Sequence, residues 1–183
     1  MRAIKSAYDG ILALVAAVLM ATLTVVIVLG FGFRAFGLSL VWYDEIASIG
    51  LCWLTYYGSA LAALRGVHIG FPGLVNAFPP GLRVASTVVA ELIVIAFFVI
   101  LTVTGLEVLV ILQGTTLVSL PSVSLVVTQS VIPVTAVLFI IAELLRFPEV
   151  LAAARGSGFE DVELKEALEA AREPSSASRG AAP

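Results

Sequence analysis

The sequence predicts an all-α integral membrane protein: four transmembrane helices, both termini cytoplasmic, and a short interfacial segment between the second and third helices. Three observations predict it. Of the 183 residues 60% are hydrophobic and only 13% charged, about half the ~25% charge of a soluble domain, and the mean hydropathy is +1.10. Four apolar stretches each reach the ~20 residues needed to cross a bilayer. Lysine and arginine collect at alternate ends of them.

The first span is expected over about residues 10–33, which lie uncharged between Asp9 and Arg34. A secretory signal core is shorter, about 7–15 residues, and ends at a small-residue cleavage site. Phe31 to Phe36 offers no such site, so retention is expected. The second span covers about residues 42–64, with Asp44 and Glu45 at its start and Arg65 just after it. The third, about 84–112, contains Glu91 and Glu107; at ~1.5 Å per residue it is about 43 Å long and must tilt or protrude. The fourth, about 122–145, holds Pro133, which is expected to kink it because proline removes a helix donor and crowds the preceding turn.

Arg2, Lys5, Arg65, Arg83, Arg146 and Arg155 occupy the first, third and fifth hydrophilic segments, whereas the second has only Arg34 and the fourth, residues 113–121, has no charge. Basic residues near span ends stay cytoplasmic, which sets the orientation. Phe31, Phe33, Phe36, Trp42 and Tyr43 then read as an interfacial belt on the external side. Between Arg65 and Arg83, apolar residues alternate with Gly70, Pro72, Gly73, Pro79 and Pro80. This is the segment expected to lie along the membrane surface. Residues 1–146 thus form the membrane domain, and 147–183 a charged cytoplasmic tail, partly helical around the Asp161/Lys165 spacing and then disordered.

A net charge of −3 provides no basic field for nucleic acid. Cys52 and His68 are each alone of their kind, which excludes an intramolecular disulfide, a thiol-rich metal site and bis-histidine haem ligation. No cofactor is expected. On the second helix Asp44, Ser48, Cys52, Thr55, Ser59, Ala62 and Gly66 fall on one face. That stripe reads as a helix-packing surface, the alternative being a polar path, which the lack of a central ionisable group disfavours. Asp44 and Glu45 suit the first turn of a helix, with Arg34 as a counter-ion; as a pair handling protons they would stand only at the membrane entrance. Glu143 has Arg146 three residues on. Glu91, about 12 Å inward from Arg83 along a helix, is the carboxylate hardest to assign to structure, and it could pair with Arg83, His68 or a partner. His68 reads as an interfacial anchor.

Trp42, Asp44 and Glu45, then Trp53, Gly58, Ala60, Ala63, Arg65, His68 and Ile69, and further on Pro79 and Arg83, resemble the small membrane subunit of tripartite ATP-independent periplasmic (TRAP) transporters, the DctQ-like family. The family pattern has arginine three residues after the glutamate, where this chain has Ser48, and an acidic residue after the His-Ile pair, where it has Gly70 and Phe71. The resemblance implies a bacterial inner-membrane scaffold subunit, not an enzyme. Its partners would be a large permease subunit, which moves an organic acid inward with sodium, a periplasmic solute-binding protein, and membrane lipid. It implies no substrate or metal site here, and it makes Glu45, Arg65 and His68 structural or inter-subunit contacts. Trp42, Asp44, Ser59, Arg83 and Glu91 join them as candidates. The rival reading is a self-sufficient dimeric proton-coupled efflux antiporter using Glu91.

Overall fold

The computed structural model describes residues 2–38, 40–66 and 75–156. These residues are nearly all helical, the one extended pairing among them being an isolated antiparallel bridge between Thr116 and Ser124. In chain order the helices are α1 (Arg2–Ala35), α2 (Tyr43–Arg65), α3 (Pro80–Ile111), α4 (Leu125–Gln129) and α5 (Val131–Arg155). Among the described residues, four stretches are long and apolar enough to span a membrane: Ala3–Ala35, Tyr43–Arg65, Pro80–Ile111 and Leu125–Arg155. The four-helix membrane class read from the sequence is therefore the class of the structure.

Local chemistry sets the helix ends. Asp44 and Glu45 sit in the first turn of α2, where exposed N–H groups favour negative charge. The same helix closes on Gly66 in the left-handed region (φ 71°), whose N–H donates to the carbonyls of Ala62 and Ala63. Pro80 opens α3, a position where its missing N–H is not needed. Of the expected interfacial segment, residues 67–74 lie outside the described residues. Just beyond them the Phe78 N–H donates to the Val75 carbonyl at 3.2 Å.

The fourth span is two helices, because the run breaks at Ser130. Pro133 lies in the first turn of α5 and has no N–H for the Gln129 carbonyl, and its ring crowds that same group. The helical run is interrupted just upstream, at Ser130, where the missing donor acts. α5 then continues through Pro148 to Arg155.

The described residues fall into two compact units, one within Met1–His68 and Val89–Pro148 and the other within Ile69–Val88 and Glu149–Pro183. In the first, Leu12, Ala60, Ala63, Leu64, Phe139 and Ala142 form the buried core, with Tyr8, Tyr57, Val94 and Phe98 packed against it. Half of that core is alanine. In lipid, helices gain little from apolar burial as such, and small residues let their backbones approach. The rings of Phe98 and Phe139 stack with centroids 3.7 Å apart, joining α3 to α5. Two aromatic polar ends reach across helices: Tyr8 donates its hydroxyl to the Leu138 carbonyl at 2.7 Å, and the Trp53 indole donates to the Thr128 carbonyl at 2.9 Å. In the second unit Thr87, Val150 and Ala154 are buried, and Arg83 Nη1 donates to the Gly156 carbonyl at 3.3 Å.

Within the chain, the small-residue stripe of α2 is only partly covered. The stripe running through Asp44, Ser48, Cys52 and Thr55 is exposed over those residues, while the buried residues of α2 are Ala60, Ala63 and Leu64. Trp53 and Tyr57 explain the choice: each supplies a large apolar body, and the Trp53 N–H finds a carbonyl across the core. The chain packs on that side and leaves the small-residue side open.

Candidate functional site

Of the charged residues singled out from the sequence, Asp44, Glu45, Arg65 and Arg83 stand at helix ends, whereas Glu91 and Glu143 lie within α3 and α5. At the start of α2, Glu45 turns its carboxylate to the loop after α3. Val118 N–H donates to Oε1 at 3.3 Å and Ser119 N–H to Oε2 at 2.9 Å, and the Ser119 hydroxyl donates to Oε2 as well. A carboxylate accepting several donors is a fixed group, tying α2 to the α3–α4 connection. Arg34, expected as its counter-ion, makes no ion pair with it. The backbone donors occupy the acceptor sites instead.

At the other end of α2, Arg65 forms a two-pronged pair with Asp9 of α1, Nε to Oδ1 at 2.7 Å and Nη2 to Oδ2 at 2.9 Å. Both side chains are substantially exposed, so the pair holds geometry more than it adds stability. Close by in the same unit, Arg146 crosses the end of α2: a Cβ built on Gly66 would stand 2.8 Å from its Nε. Glycine suits the left-handed φ there, and any side chain would have to push the end of Arg146 aside. The positive guanidinium thereby lies against the carbonyl end of α2, the negative end of the helix dipole. Its Nη1 is 4.0 Å from Oε2 of Glu143, a residue 5% exposed whose Oε2 has no hydrogen bond.

Trp42 precedes α2 without a side-chain capping bond. Asp44 is exposed at the first turn, and Ser59 bonds back to the Tyr56 carbonyl at 2.8 Å. His68 lies outside the described residues. Arg83 is engaged with Gly156, with its Nε buried and without a hydrogen bond. The structure thus sets Glu143 beside Arg146 and places Glu45 and Arg65 in separate contacts at opposite ends of one helix. Asp9 and Ser119 are partners that sequence reasoning missed, as is the seat of Arg146 on Gly66, whereas Arg146 beside Glu143 was expected. The first had a signal, since Asp9 and Arg65 lie at the ends of two successive spans that must run antiparallel. Ser119 had none, being one polar residue in an uncharged loop.

Among the described residues no group of three His, Cys, Asp or Glu could hold a metal ion. Open grooves lie by Lys5, Asp9 and Arg65 and by Leu23, Ile27, Asp44 and Ser48. Such a chain offers surfaces and fixed helix ends. The model of the family described as tripartite ATP-independent periplasmic transporters, DctQ component, matches residues 23–153. The chain belongs to this DctQ family. The match takes in α2 to α4 whole, most of α5, the end of α1 from Leu23 on, and Glu45, Arg65, Arg83, Glu91, Glu143 and Arg146; it excludes Asp9 and the larger, N-terminal part of α1. No curated protein matches the chain. As a DctQ component it is a multi-pass membrane protein of a transporter assembled from three parts.

Proposed function

We propose that this chain is the scaffold subunit on which a large permease subunit works during sodium-driven uptake of an organic acid delivered by a periplasmic binding protein. It sits in the bacterial inner membrane with both termini cytoplasmic, an orientation supported by the clustering of Arg2, Lys5, Arg65, Arg83, Arg146 and Arg155. Residues 1–146 are its membrane domain. The tail begins after Arg146, its first residues continuing α5, and has no part in transport chemistry. Solute and sodium sites belong to the large subunit.

The observation that carries this reading is the DctQ match over residues 23–153, and the pinned ends of α2 are consistent with it. A part that moves solute across a bilayer needs a neighbour that does not move with it. Glu45 on the α3–α4 loop and Arg65 on α1 fix α2 at both ends, while its face through Ser48, Cys52 and Thr55 stays open for a partner helix to approach closely. Glu45, Arg65, His68 and Arg83 are on this reading structural contacts, and Trp42, Asp44 and Ser59 lie on or beside surface available to the partner. Co-expression of a tagged chain with its large subunit tests the proposal: the two should purify together, and deletion of this chain should abolish uptake. Separate elution of the two, with uptake intact, contradicts it.

A further inference from the structure

We draw no further inference here: the strongest candidate, the open groove between α1 and α2 where the exposed Asp44 stands beside Leu23, Ile27 and Leu51, is an unpartnered face and nothing in the structure shows what covers it.

Discussion

Arg146 occupies the space that a side chain on Gly66 would need: the Cβ position of Gly66 is 2.8 Å from Nε and 2.9 Å from Cζ and Nη2 of the arginine. A cation of α5 thus rests on the end of α2 because the capping residue there has no side chain. Gly66→Ala should therefore destabilise the chain twice over, by about 1–2 kcal/mol for the left-handed backbone and further by displacing the guanidinium. Thermal unfolding in detergent should show a clear drop, and the same substitution in an Arg146→Ala background should cost less.

Glu143 is buried with Arg146 as its nearest cation. Removing one partner of a buried pair costs about 3–5 kcal/mol when the other stays charged; at 4.0 Å this pair should fall below that range. Arg146→Ala should lower the unfolding midpoint, and adding Glu143→Gln should recover part of the loss. No recovery would show that the two groups are not coupled.

The Glu45 carboxylate holds the amides of Val118 and Ser119. Glu45→Ala should expose those amides, which hydrogen exchange reads directly: both should exchange faster while the amides of α2 beyond its first turn keep their protection. Exchange unchanged at Ser119 would mean that the loop is held by something else.

Ala63 is fully buried and Thr55 exposed on the same helix. Ala63→Leu should overpack the core, costing about 1–3 kcal/mol. Thr55→Leu should leave the melting of the isolated chain unchanged and instead weaken its co-purification with the large subunit.

Glu91 separates the scaffold reading from its rival. Glu91→Gln should leave sodium-driven uptake within about twofold, the small effect expected of a charge that serves structure. Complete loss with assembly intact would instead make it an ion-handling carboxylate.

Much of this architecture was legible before any coordinates, because lipid imposes a coarse rule: long apolar runs become helices, and they must be interrupted by polar turns. The four spans and the break near Pro133 follow from that rule and from proline's missing donor. The face that α2 buries was not legible. Small residues permit close packing but do not say with which neighbour, and the side bearing Trp53 and Tyr57 took the contacts within the chain. The pairing of Asp9 with Arg65 was accessible from antiparallel succession, whereas the seat of Arg146 on Gly66 depends on how α5 passes α2, which no local pattern encodes. Glu45 chose backbone N–H groups over Arg34 for the same reason.

The central claim is that this chain supports transport without holding cargo. Proteoliposomes containing the large subunit and loaded binding protein, with an imposed sodium gradient, test it most directly when prepared with and without this chain. Uptake should require the chain, and the chain reconstituted alone should move neither solute nor sodium. Undiminished uptake without it, or transport by it alone, would contradict the account.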